Sequence, residues 1–337
     1  MAGHAAPDAA PSTMTTDSTP AYPPDDGRPG PRLSLDRRRR RLRRDLPLIL
    51  IGVPGIALLL AFHYLPLLGN VIAFKDYQPY LGIAESPWVG WENFRVIVNG
   101  DPAFLNALKN TLILLFLQVV VVFPAPIVLA LVLNSLLSER LKRLVQSVLY
   151  MPHFLSWVIV VALFQSMLGG SGMINSWLRA NGHATFDLIG NSDLFKLLLT
   201  SQIIWKDTGW ATILFLAALS QISAELYEAA SVDGAGRIRQ MWSVTLPGMR
   251  GIIILLLILR LGDALTVGFE QIVLQQGPVG IGVSEVLDTY VYNQGILGGQ
   301  WGVAAAVGLV KGIVGVVMVI GANKLAHIFG EDGIYRS

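Results

Sequence analysis

Cysteine is absent from all 337 residues. Disulfides, zinc-thiolate sites and thiol nucleophiles are therefore excluded. Charge is scarce too: Asp, Glu, Lys and Arg make up 14% of the chain, against about 25% in an ordinary soluble domain. No G-x-x-x-x-G-K-[ST] segment occurs, so the chain lacks the phosphate-cradling loop of a usual nucleotide hydrolase. Apolar residues, by contrast, reach 53%. These totals imply an all-α, multispanning membrane protein.

The scarce charge is unevenly placed. Residues 1–36 hold seven of the 18 prolines and almost no large apolar side chain, which predicts a disordered tail. RRRRRLRR follows at Arg37–Arg44. Because an apolar run opens at Leu46, the cluster reads as a cytoplasmic anchor rather than a nucleic-acid patch. The apolar run starts too late and runs too long for a cleaved signal peptide, and no A-x-A site follows it.

Six apolar segments are long enough to cross roughly 30 Å of hydrocarbon. They fall at 46–68, 107–133, 146–168, 194–220, 249–274 and 300–325. Residues 1–45 form the tail and anchor, 221–248 a polar loop, and 326–337 a C-terminal tail. With the N-terminus inside, 17 Lys and Arg lie on the inner side and five on the outer side. That bias predicts an N-in, C-in topology. Trp88, Trp91, Trp177 and Trp301 then suit an interfacial belt. Pro124 and Pro126 predict a kink in the second span, and Gly298–Gly299 the opening of the sixth. Gly308, Gly312 and Gly315 suggest close helix packing there.

LYEAASVDGAGRIRQMWSVTLPG, Leu226–Gly248, is a compact polar loop between two apolar runs. Its composition predicts a helix through Ala229–Ala230, a turn at Asp233–Gly236 and a second short helix from Arg237. Thr245 is expected to cap and Pro247 to sit in the first turn of the fifth span. Glu228, Asp233 and Arg237 are placed to fix the loop's register.

Ionisable groups at bilayer depth are costly, so each is a candidate site. Lys206 and Asp207 lie roughly 18 Å into the fourth run. Arg260 and Asp263 lie roughly 16–21 Å into the fifth, and Lys311 is about as deep in the sixth. Arg260 and Asp263 can pair on one helix face, with Val267 and Glu270 extending that stripe. Lys206 and Asp207 point about 100° apart and are expected to pair with other helices. Trp205 and Trp210 flank them, an arrangement suited to stacking on a sugar. Glu270 and Gln271 are placed near the outer mouth. The alternative to a polar path is a set of ion pairs that fixes the bundle or its gate.

The spacing EAA, three residues, Gly, nine residues, Val-x-Leu-Pro resembles the EAA loop of permease subunits in bacterial ABC importers. Glu228, Ala229, Ala230, Gly234, Leu246 and Pro247 carry the match, and Val244 replaces the usual Ile. FKDY (74–77), SPWVGWENF (86–94), LYMPHFLSW (149–157), IWKDTGW (204–210) and GEDGIY (330–335) look like carbohydrate-uptake permeases of the oligosaccharide and polysaccharide branch. The likeness runs from about residue 45 to the end.

The resemblance implies a type I importer fold in the bacterial plasma membrane. It implies a coupling helix at Glu228–Gly234 that docks on a motor, with Asp233 inside that segment and Arg237 just after it. It further implies a non-catalytic permease that binds no cofactor, metal or nucleic acid. A second homologous permease would accompany it in a heterodimer, with two ATPase subunits holding ATP and Mg. The remaining partners are an extracytoplasmic solute-binding lipoprotein, a sugar and membrane lipid. Import of another solute, such as a glycerol phosphate ester, is the nearest alternative. An ion-coupled secondary transporter and a scaffold without transport are the rivals from other classes.

Overall fold

The structure, a computed structural model, describes residues 35–136, 138–328 and 330. The Pro-rich tail, the side chains of the Arg37–Arg44 anchor and all of GEDGIY after Gly330 lie outside the described residues. Two compact units divide the chain, Met1–Leu65 and Pro66–Ser337. The first contains α1 (Leu35–Leu59), which continues through a wide π turn at Leu60–Tyr64.

The second unit is helical; among the described residues only an isolated bridge, Lys75 to Trp88, has strand character. A platform comes first. Lys75 Nζ donates to the carbonyls of Ile83, Ala84 and Ser86 at 2.6–3.2 Å. Phe74 stacks on Trp88 at 5.8 Å and meets Trp91 and Phe94 at 5.2 Å. FKDY and SPWVGWENF therefore form one folded piece, held by carbonyl capture and aromatic contact.

Asp101 then starts α2 (Pro102–Leu117): its Oδ1 accepts from the amides of Ala103 and Phe104, and Pro102 takes the first turn. A π turn at Gln118–Val122 links α2 to α3 (Pro124–Asn134). The extra residue in that turn accommodates Pro124, which has no amide hydrogen to donate.

The apolar run at 146–168 resolves into two helices. Amphipathic α4 (Glu139–Tyr150) enters a tight turn at Met151–Phe154, where Pro152 interrupts the ladder. The chain is extended at Leu155–Ser156, and Ser156 caps α5 (Trp157–Leu168). Next come α6 (Met173–Ala180) and α7 (Phe195–Leu219), a 25-residue helix with α3 packed along it.

Ser223 caps α8 (Ala224–Val232), which leaves the axis of α7 at 72°. After α9 (Arg237–Gln240), a third π turn at Met241–Thr245 and then Leu246–Gly248 lead into α10 (Arg250–Gly262), bent by 59° from what precedes it. The sequence run to residue 274 is not one helix. It stops at Gly262, and Gly268, at φ +104°, opens the separate short α11 (Phe269–Val273). Then follow α12 (Leu287–Tyr292), a π turn at Asn293–Leu297 and α13 (Trp301–Ile328).

Among the described residues four helical stretches are long and apolar enough to cross a membrane: 45–74, 102–134, 157–180 and 301–328. The two bent pairs raise the number to six if each forms one span. The core is a series of patches rather than one mass. Phe104, Leu265, Leu287, Tyr290 and Val307 join α2, α12 and α13. Ala130, Phe215, Leu219 and Met249 join α3 and α7 to the start of α10.

Candidate functional site

The polar loop is a helix, a tight turn and a helix. Gly234 adopts φ +76°, a conformation that disfavours any residue with a Cβ. Its ends are tied by the Ala235 amide to the Ala230 carbonyl (2.9 Å), Gln240 Nε2 to Ser231 Oγ (2.8 Å) and the Tyr227–Thr245 hydroxyl pair (3.1 Å). Register is therefore set by neutral hydrogen bonds. Among the described residues no ion pair links Glu228, Asp233 and Arg237, all three of which are exposed. Ala229 and Gly234 are exposed as well, and Ala230 is half-buried. Leu246 is half-buried and Pro247 exposed, in the turn before α10. Thr245 does not cap: its backbone is helical and its hydroxyl serves Tyr227 and the Gln240 carbonyl. The apex carries apolar side chains in the open, Val232 at 88% and Ile238 at 73% exposure.

A second constellation lies on α7. Lys206 is buried, and its Nζ donates to the His153 carbonyl at 2.7 Å, 5.6 Å from the Trp157 ring. Asp207 Oδ1 meets His153 Nδ1 at 3.0 Å, and Lys206 Nζ stands 3.9 Å from the same oxygen. The His153 ring lies flat on Trp210, with centroids 4.7 Å apart and planes 2° apart. Gly209 makes this possible, because a Cβ there would stand 2.0 Å from the Leu149 carbonyl oxygen. The two quoted motifs, LYMPHFLSW and IWKDTGW, are thus the two halves of one contact. Sequence reasoning missed His153; the break at Pro152 was the signal that its turn leaves the helix.

Trp205 points elsewhere, meeting Phe164 of α5 edge-on at 5.8 Å. Arg260 does not pair with Asp263 as helical spacing suggested. Its Nη2 donates to Gln118 Oε1 in the π turn, while Asp263 ends α10. Asp207, Thr208, Arg260 and Asp263 nevertheless line one cleft of about 330 Å³ between α7, α10 and the π turn.

The stripe through Val267 and Glu270 does not exist, because the helix ends before it. Val267 is buried and Glu270 exposed. Gln271 is fully buried, with Nε2 donating to the Leu199 carbonyl (3.0 Å) and to Gln202 Oε1 (2.7 Å). Gln202 in turn exchanges hydrogen bonds with Gln275 at 3.0 Å. The three amides pin α11 to α7. Lys311 pairs with Asp288, another residue the sequence did not single out, in a separate cleft of about 680 Å³ along α13. Gly308 and Gly312 line that cleft with open space where a Cβ would stand.

Comparison with known proteins gives the chain a family. The family described as binding-protein-dependent transport system inner membrane component matches residues 122–329. The chain is 44% identical over 295 residues to protein LplB of Bacillus subtilis, covering 87% of this chain and 92% of that one. It is also 44% identical over 304 residues to the polygalacturonan/rhamnogalacturonan transport system permease protein YteP of the same organism, covering 89% and 94%. Among solved structures, a chain of a bacterial alginate ABC transporter, in complex with a periplasmic protein bound to alginate pentasaccharide, superposes with a TM-score of 0.79. The two are 34% identical, and the match covers 88% of this chain and 99% of that one.

Proposed function

The chain belongs to the binding-protein-dependent transport system inner membrane components, and from that premise we propose that it carries a sugar oligomer across the bacterial plasma membrane as the permease subunit of an ATP-driven importer. A solute-binding protein delivers the sugar, a second homologous permease completes the path, and two ATPase subunits bind ATP and Mg and supply the work. The polar loop faces the cytoplasm and receives that work; the platform of FKDY and SPWVGWENF faces outward.

One observation carries the mechanism. α7 holds the Lys206–Asp207–Trp210 cluster and, after a four-residue break and a 72° bend, leads into the exposed helix α8. A push on Glu228–Gly234 therefore acts on a helix that only four residues join to the one lining the path. A helix with its backbone fully hydrogen-bonded is stiff, so displacement at one end is not absorbed locally. Closure of the ATPases would move α8, and α7 would follow and change the cleft holding Asp207, Arg260 and Asp263. Polar and aromatic side chains there suit hydroxyl groups and the C–H faces of sugar rings.

Reconstitution tests the reading. The chain, its partner permease, the ATPase and the binding protein should together accumulate oligosaccharide in vesicles only when ATP is supplied. Uptake by this chain without an ATPase would overturn it. Binding measurements on the cognate solute-binding protein across a panel of oligosaccharides would name the sugar.

A further inference from the structure

His153 has no place in the mechanism so far, yet it makes three separate contacts with α7. Its carbonyl accepts from Lys206, its Nδ1 meets Asp207 and its ring covers one face of Trp210. Phe154 closes one edge of the same indole, with centroids 5.7 Å apart and planes at 79°. Trp210 is still 46% exposed. His153 takes one face and Phe154 one edge, so the open area lies on the rest of the indole, which includes the face opposite His153.

From this geometry we infer that His153 is a positioning residue for the translocated sugar: it holds the Trp210 ring and the Asp207 carboxylate so that together they present one carbohydrate-binding face. The inference rests on the importer reading above and deepens it. An indole that can turn about its side-chain bonds offers a sugar no fixed plane; a ring sandwiched on one side does. Asp207 Oδ1 is engaged by His153, which leaves Oδ2 to accept from a sugar hydroxyl. Lys206, 3.9 Å away, balances the carboxylate charge. A flat apolar plate beside a fixed acceptor matches a pyranose, whose C–H face and equatorial hydroxyls lie at right angles. Gly209 completes the device by admitting the Leu149 backbone, without which the turn holding His153 could not reach α7.

The test uses the assembled transporter in proteoliposomes, with sugar moved per ATP hydrolysed as the readout. His153→Phe keeps the stacking and loses the bond to Asp207. His153→Asn keeps a donor and loses the stacking. Each should lower the sugar-to-ATP ratio about tenfold, because the motor still cycles while the sugar is poorly held. Loss of both activities together, with the ratio unchanged, would mean a merely structural tie and overturn the inference. So would a wild-type ratio in both variants when Trp210→Ala and Asp207→Asn have lost it. A wild-type ratio in those last two as well would instead sink the assignment of the path to α7. Should a variant fail to assemble, fluorotryptophan NMR on the wild-type complex decides. The Trp210 resonance, assigned by its loss in Trp210→Phe, should shift on adding the transported oligosaccharide, and an unmoved signal would overturn the binding face.

Discussion

At the scale of single residues, space and charge decide. The Leu149 carbonyl occupies the position a side chain on Gly209 would need, 2.0 Å from an ideal Cβ. A backbone atom cannot swing aside, so Gly209→Ala should destabilise the subunit by at least about 1–3 kcal/mol, seen as a lower melting temperature in detergent. Gly308→Ala, where a Cβ meets nothing within 4 Å inside α13, should instead raise the melting of the isolated subunit slightly, because Gly in a helix interior costs about 0.5–1 kcal/mol relative to Ala. Glu285, just before α12, makes a pH prediction. Burial raises its carboxyl pKa; the Asn293 amide opposes the rise and Asp101 adds to it. The unfolded chain therefore loses the proton first. Stability is fully present below the unfolded value of about 4.5 and falls as pH rises through the interval up to the folded value. Glu285→Gln should accordingly melt higher than the parent at pH 7 and lose that advantage by pH 4. Equal melting at both values would show that the buried carboxylate carries no such penalty.

Among elements, the helix–turn–helix at Ala224–Gln240 was legible in the sequence because its signals are local: Gly234 at the turn and good helix formers around Ala229–Ala230. The break at Ser223 was not, because nothing local interrupts the run from Gln221. The fifth span was misread for an equally physical reason. An unbroken apolar run satisfies a span template whether or not the backbone stays helical, and only tertiary hydrogen bonds such as those of Gln271 to α7 reveal that it does not. The turn predicts a phenotype. Gly234→Val forces a β-branched residue into φ +76°, at a cost of about 1–2 kcal/mol. ATP-driven uptake should drop by tenfold or more while the chain still inserts into the membrane. Normal uptake in this variant would count against the loop as the point of coupling.

At the scale of the whole molecule, topology is the property to measure, and the lack of cysteine makes it accessible. A single cysteine at Asp233 should react with a membrane-impermeant maleimide only from the cytoplasmic side of the vesicle. One at Tyr80, 82% exposed on the platform, should react only from the other side. Labelling of both from the same side would invert the proposed orientation.

Composition and local pattern by themselves determined that this chain is an α-helical membrane protein with a compact, exposed polar loop, because hydrophobic length, charge bias and turn chemistry act over a few residues at a time. Which polar groups meet was decided only in three dimensions. His153 and Asp207 are 54 positions apart, Gln118 and Arg260 are 142 apart, and no local rule relates them. Their pairing follows from where Pro152 breaks a helix, where Gly209 lets a backbone approach and where α10 stops short of its apolar run.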